Sequence, residues 1–362
     1  MTLPVPEIWT RAPGTYRRLH RVDVYSKATV VLRDLQPGAW SIEGIPCDSD
    51  AAADLEAGGG IIVWYGDGDD REVLMSGRVE HVEEVETFDG DVFSCSHSAT
   101  GVDDLAYVTD RLAHPVPATL NFATAATKTY DGVGETILKA LVDDNLGSSA
   151  HSSRVLANFA TATDSARGDN VRDEIRLDPL ADLVVAWCIR AGILPRVRAI
   201  EGTLTFDVYE GVDRSAELVF AVTRSNVTTV RRTERSPELN FVWVGGGGEG
   251  TARTFVSDQD AASQARWQYR REGFRDRRDT TDATVLAESA AEELDAKAAA
   301  RAVLVVPLDT DRLRYGTHYA LGDLVTARTR NGEKVVQQIR EVTISMTPDE
   351  VAAWERDVLA GK

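Results

Sequence analysis

The 362-residue sequence predicts an α+β fold that is mainly β, with β-rich ends flanking an α+β insert. Three observations predict it. Residues 20–100 read as alternating polar and apolar strands broken by Gly and Asp clusters. Residues of about 118–215 carry two amphipathic helical patterns and then a hairpin. From Ala216 onward strands return, interrupted by one long helix rich in alanine and glutamate. These shifts place domain boundaries at 1–117, 118–215 and 216–362, a division that the length allows, since each part can bury its own core.

In the first part the strands are "HRVDVYSKATVVLRDL", "GGGIIVWYGD", "EVLMSGRVEHVEEVET" and "DVFSCSHSAT", separated by turns such as Asp67-Gly68-Asp69-Asp70 and Asp89-Gly90. "GVDDLAYVTDRLAHPVP" then sets Leu105, Val108 and Leu112 at helical spacing, and Pro115 and Pro117 stop that short helix. In the insert, "DGVGETILKALVDDNLG" puts Ile137, Leu138, Leu141 and Val142 on one helical face and ends at Gly147. "DPLADLVVAWCIRAG" is expected to be a second helix, capped by Asp178 with Pro179 in its first turn, and "ILPRVRAIEGTLTFDVYEG" a hairpin about Glu201-Gly202. In the last part "DATVLAESAAEELDAKAAAR" is strongly helical, Asn331-Gly332 marks a hairpin turn, and the tail "PDEVAAWERDVLAGK" reads as a peripheral helix.

Composition excludes several classes of function. A net charge of −18 disfavours a protein that grips nucleic acid, because that binding rests on Lys and Arg neutralising phosphates. Cys47, Cys95 and Cys188 lie far apart without a C-x-x-C, so neither a zinc ribbon nor a disulfide framework is indicated and reduced, buried thiols are expected. The start lacks a signal peptide, and the longest apolar run, Leu183 to Ile189, is too short to span a bilayer, so a soluble chain made in the cytosol is expected.

Motifs of chemistry fail one after another. In "FVWVGGGGEG", Gly245, Gly247 and Gly250 satisfy G-x-G-x-x-G, yet a dinucleotide loop must open a helix, and Thr251 to Val256 read as a strand. Thr251 also stands where a Walker loop needs lysine. Gly245, Gly246, Gly247, Gly248 and Gly250 are therefore read as a structural turn that binds no cofactor. No G-x-S-x-G occurs, the six histidines never form H-E-x-x-H, and the turn at Asp67 has Arg78 where a calcium loop needs glutamate. No catalytic residue and no metal ligand is assigned. The one concentrated basic patch, Arg266, Trp267, Arg270, Arg271, Phe274, Arg275, Arg277 and Arg278, is read as a protein interface, since Arg and aromatics dominate contact hot spots.

An internal echo joins the ends. "GGIIVWYGDGDDREVLMSGRVEHVEEV" from Gly59 and "GDLVTARTRNGEKVVQQIREVTISM" from Gly322 both run glycine, aliphatic strand, charged turn, aliphatic strand.

The order of "GVDDLAYVTDRLAHP", "GETILKALVDDNLG", "DPLADLVVAWCIRAGILPRV" with "LTFDVYEGVDRS", "VWVGGGGEGTARTF" and "RLRYGTHYALGDLV" resembles the minor tail proteins of siphophages of actinobacteria, from about Val22 to Thr347. These look like the central hub of the tail tip, related to phage baseplate hubs and to the hub portion of tail-associated lysins. The resemblance implies two similar tube-like β-barrel domains per chain, so that a homotrimer makes a pseudo-sixfold ring and adapts a sixfold tail tube to a threefold tip. It implies a non-enzymatic virion protein at the distal end of the tail, made in the host bacterial cytoplasm and serving host attachment and genome ejection. The implied partners are the distal tail or tail tube protein, the tape-measure protein and other minor tail or fibre proteins, with DNA only in passage. A tail-tip cell-wall hydrolase or depolymerase and a saccharide-binding adhesin are the alternatives; the hydrolase would need a catalytic domain for which little sequence remains. The N-terminal "MTLPVPEIWTRAPGTYRRL" has no counterpart in the resemblance and is expected to be an added arm.

Overall fold

The computed structural model describes residues 6–66, 71–278, 280–299, 301–308, 313–347 and 355–361, side chains at 301, 302 and 355–361 excepted. The acidic turn at 67–70 lies outside them. The chain divides into two compact units, residues 1–230 with 305–359, and residues 231–304 with 360–362.

The first unit opens with β1 (Glu7–Arg11), β2 (Arg18–Arg21), β3 (Lys27–Arg33), β4 (Ala39–Pro46), α1 (Asp50–Glu56), β5 (Gly60–Tyr65), β6 (Glu72–Phe88), β7 (Phe93–Asp103) and α2 (Ala106–Thr109). Then come β8 (Lys128–Val133), α3 (Gly134–Leu146), β9 (Phe159–Thr161), β10 (Asn170–Ile175), α4 (Leu180–Ala191), β11 (Leu194–Ile200), β12 (Thr203–Tyr209), β13 (Val219–Phe220) and β14 (Val227–Glu234). The second unit holds β15 (Phe241–Gly245), β16 (Phe255–Gln259), α5 (Ala261–Trp267), β17 (Glu272–Asp276) and α6 (Ala283–Ala296). The chain continues through β18 (Arg301–Pro307), β19 (Leu324–Arg328), β20 (Lys334–Met346) and β21 (Glu355–Gly361).

One 13-stranded sheet dominates, in the order β14-β18-β21-β20-β3-β4-β7-β6-β5-β1-β2, with β19 also on β20 and β13 on β19. Its middle joins the two ends of the chain: β3 and β20 pair antiparallel, Val31 opposite Thr343. Ala28, Val30 and Leu32 of β3 and Val342, Ile344 and Met346 of β20 are buried, each set at every second position, as a sheet with one face in a core requires. No closed barrel is traced among the described residues, where the pairing path stays open and both β-rich ends share one sheet, so the two similar barrel domains implied by the resemblance are not confirmed. An alternating strand specifies which face it buries but not which strand it lies beside, so the sequence pattern is compatible with either arrangement.

The N-terminal segment is no added arm. β1 pairs with β5 from Glu7 opposite Trp64 to Arg11 opposite Gly60. Arg11, 2% exposed, donates from both terminal nitrogens to the two oxygens of Asp104, each at 2.5 Å, and Ser76 Oγ donates to the same carboxylate. The expected tail helix is also corrected, since residues 355–361 form a strand between β18 and β20. Sheet neighbours on both sides satisfy its backbone groups and override local helix propensity.

The α+β segment is built much as its patterns require. α3 and α4 bury Leu138, Leu141, Val142 and Leu146 with Val184, Trp187 and Cys188 against Leu204, Phe206 and Val208 of β12. Gly192 ends α4 in the left-handed conformation at φ 71°. Asp178 does not cap α4: Pro179 occupies the cap position without a side-chain bond, and the Asp178 carboxylate accepts from Arg176 N–H at 2.8 Å.

The cysteines depart from expectation too. Cys188 is a buried free thiol, but Cys47 and Cys95 form a disulfide, with Cα atoms 5.7 Å apart and 48 residues between them in sequence. Spacing hides this pair because it is the β4–β7 pairing that makes them neighbours.

In the second unit β15 lies between β16, antiparallel, and β17, parallel. α6 covers one face, where Val242 and Val244 pack with Leu286 and Ala290.

Candidate assembly surfaces

The other face of that small sheet is open. Trp243 of β15 stands opposite Phe274 of β17, and Phe255 of β16 stands opposite Gly245, two residues along β15 from Trp243, so the three rings share a face. They are 42%, 57% and 51% exposed, respectively. Arg253 lies over both phenylalanine rings, at 5.2 Å from Phe255 and 5.6 Å from Phe274, and also pairs with Asp276. An aromatic face with an arginine anchor has the composition of a contact hot spot.

The glycine run borders this face. Gly246 has no room for a side chain, since a Cβ there would stand 2.8 Å from both Thr280 O and Leu286 Cδ1. Gly248 carries φ +107°, a backbone conformation that other residues adopt only under strain. A single turn of 3-10 helix, Gly250–Ala252, follows, and then β16. No α-helix opens on the loop.

The arginines between 266 and 278 are engaged within their own unit. Arg266 makes a two-pronged pair with Glu234 at 2.6 Å, Arg270 pairs with Glu272 at 2.7 Å while lying 3.6 Å from the centre of the Phe241 ring, and Arg278 pairs with Asp276 at 3.1 Å. Arg275 reaches Glu293 at 3.5 Å, Arg271 donates to Pro237 O at 2.9 Å, and Arg277 donates to Ser289 Oγ at 2.8 Å. Trp267 ends α5, where it is half-buried, and Arg266 lies over its ring. The cluster thus ties α5 to Glu234 at the end of β14 through Arg266, and β17 with the residue after it to α6 through Arg275 and Arg277, and the exposed apolar surface beside it belongs to Trp243, Phe255 and Phe274. Sequence reading found only Phe274 of these three. Alternation across the glycine run, with Trp243 and Phe255 at matching offsets, is the signal that points to the other two.

A second surface is the hairpin of β6 and β7. The two strands remain paired out to Phe88 opposite Phe93, and every residue from Glu83 through the turn to Ser94 is exposed. Phe88 and Phe93 are 69% and 62% exposed at the tip, flanked by Glu83, Glu86, Asp89 and Asp91. Asp89 closes the tip by accepting from the N–H groups of Val92 at 2.9 Å and Asp91 at 3.1 Å, and those donors hold its carboxyl below the usual range.

A cleft of about 720 Å³ in the first unit is lined by Ser76, Asp103, Arg196, Arg198, Tyr209 and Tyr315, among others. Its acids are already engaged. Asp103 accepts from Gly38 N–H at 2.6 Å and Leu105 N–H at 2.9 Å, although burial pushes its pKa up to about 7, and Glu72 faces Arg198 at 3.5 Å. The cleft therefore offers structural carboxylates more than a general acid and base pair.

Residues 5–358 match the family described as Siphovirus ReqiPepy6 Gp37-like protein. The chain belongs to that family. The match begins at residue 5, so the N-terminal strand is part of the family's common sequence. A 43 kDa tail protein of prophage MuSo2 from Shewanella oneidensis has the same fold, with a TM-score of 0.59 at 15% identity, over 98% of this chain and 98% of that one. A tail protein from Neisseria meningitidis is similar as well, with a TM-score of 0.57 at 14% identity, over 99% of this chain and 96% of that one. No curated protein matches the sequence. Family and fold together place the chain in a siphovirus protein family with the fold of phage tail proteins, mainly β with α-helical segments.

Proposed function

We propose that the chain is the central hub of the tail tip, assembling as a homotrimer that adapts the sixfold tail tube to a threefold tip. The observation that carries this reading is the shared sheet. The two hairpins that echo one another in sequence, β5–β6 and β19–β20, lie in one sheet joined through β3–β20, so each chain presents two similar hairpins from one scaffold. Three chains then present six. The segment of about 118–215 is read as an insert on that scaffold, and the parts on either side of it as the ring-forming parts. The tip of the β6–β7 hairpin and the aromatic face of the small sheet are the contact surfaces, toward a neighbouring copy and toward tube, tape-measure or fibre proteins. DNA passes without being held, and the protein acts at the distal end of the virion tail after synthesis in the host cytoplasm.

The experiment is a symmetry-resolved reconstruction of the tail end, with three copies about the axis expected. Six copies, or one, would remove the symmetry argument. Incubation with host cell walls is expected to give no cleavage; saturable cleavage abolished by a point substitution in the cleft would favour the hydrolase instead.

A further inference from the structure

The disulfide sits in a setting that a covalent staple does not need. Pro46 of β4 is opposite Ser96 of β7, so the next pair in register is Cys47 and Cys95. Cys95 and His97 are two residues apart on β7 and share a face, while Glu84 of β6 lies directly opposite His97. One sulfur, imidazole or carboxylate ligand atom from each of Cys47, Glu84, Cys95 and His97 lies within 4.8 Å of all the others. His97 is 2% exposed, its Nε2 is 2.6 Å from Glu84 Oε2 and 3.3 Å from Glu56 Oε1, and its buried Nδ1 has no hydrogen-bond partner among the described residues. A buried ring nitrogen without a partner costs free energy, and the disulfide does nothing to satisfy it.

We infer that Cys47, Cys95, His97 and Glu84 bind one zinc-class divalent cation when the disulfide is reduced. Four ligands at about 2.0–2.3 Å from a tetrahedral ion stand roughly 3.3–3.8 Å from one another, which fits a cluster already gathered within 4.8 Å. Two thiolates and an imidazole select zinc over magnesium or calcium, which prefer oxygen donors. With the unpartnered Nδ1 as the ligand and the Glu84 carboxylate turned from Nε2 to the cation, Glu56, 3.3 Å from Nε2, is placed to accept the remaining imidazole N–H, the supporting role that carboxylates play at ligating histidines. The chemistry balances with a dithiol as reductant. It gives two electrons and two protons to the sulfur–sulfur bond and becomes a disulfide itself. Cys47 and Cys95 become thiols, and the cation displaces both thiol protons into solvent. The end of the sheet where β4, β6 and β7 meet therefore holds either a covalent bridge or a metal bridge between the same strands.

The test uses the full chain without a polyhistidine tag, reduced with a phosphine and titrated with Co²⁺. One Co²⁺ per chain is expected, with sulfur-to-cobalt charge-transfer absorption that Zn²⁺ abolishes by displacement. His97→Ala is expected to weaken Co²⁺ binding by at least about tenfold and, when oxidised, to retain the bridge, with Cys188 as its free thiol. The Cys47→Ser/Cys95→Ser variant reports by near-ultraviolet circular dichroism whether the fold tolerates loss of the bridge. A reduced wild-type chain that folds only with the cation supports the site. A reduced chain that takes up no thiolate-bound cobalt, whether it stays folded or not, overturns the inference, as does undiminished binding by His97→Ala.

Discussion

Glu135 shows how a single residue holds the α+β segment. It is fully buried at the start of α3, where Lys139 Nζ donates to Oε1 at 2.6 Å and Arg167 N–H donates to Oε2 at 2.9 Å. Lys139 also reaches Asp207 at 3.3 Å, and Arg196 pairs with Asp207 at 2.8 Å, so one charged network links α3 to β11 and β12. Burial alone would raise the Glu135 pKa. Its bond from Lys139 and the N–H groups of Arg167 and Ser165 outweigh that and hold it below the ordinary value of 4.5. A carboxyl depressed in the folded state contributes stability that is present above the ordinary value and is lost as pH falls through the folded one. Glu135→Gln is expected to lower unfolding free energy by about 3 kcal/mol at neutral pH, because it leaves Lys139 short of its partner. The gap to wild type should close on acidification below the ordinary carboxylate range. Urea unfolding at several pH values measures both; a gap that is constant with pH would show that packing, not charge, sets the cost.

At the scale of elements, the β6–β7 hairpin has two parts with different work. Its base lies in the core sheet, with Val73 and Met75 buried, while Phe88 and Phe93 at its tip touch water. A Phe88→Asp/Phe93→Asp variant is expected to unfold within about 0.5 kcal/mol of wild type, as substitutions at exposed positions do, and to lose self-association in sedimentation velocity. Unchanged association would move the interface elsewhere, with the face of Trp243, Phe255 and Phe274 the next to substitute. Elements also mark what was legible in the sequence. α3 ends at Gly147, β11–β12 turns at Glu201-Gly202 and β19–β20 turns around Gly332, all readable because caps and turns are set by residues a few positions apart. The Cys47–Cys95 bridge, the β3–β20 pairing and strand 355–361 were not readable. Each depends on which strands become neighbours, and period-two alternation carries no information about the partner. The aromatic face fell between these cases: its pattern was present, but only the pairing of β15 with both β16 and β17 brings the rings together.

At the scale of the whole molecule, charge and assembly oppose one another. Each chain carries a formal net charge of −18, so the proposed ring of copies would concentrate like charge. Cross-chain pairs with the arginines at 266–278 would offset this, but Arg266, Arg270, Arg275 and Arg278 already face carboxylates of their own chain. The attraction must then come from apolar contact, which salt does not screen, while the repulsion is screened within about 8 Å at physiological ionic strength. Association is therefore expected to tighten as salt rises from about 0.02 M to about 0.2 M, a range over which the screening length falls severalfold. The same balance predicts that duplex DNA is not retained at either salt, because a chain of net charge −18 repels a polyanion. Analytical ultracentrifugation across that range, with and without a short duplex, reads both. Association that weakens with salt would mean that charge pairs between copies hold the ring, and the arginines would have to exchange partners on assembly.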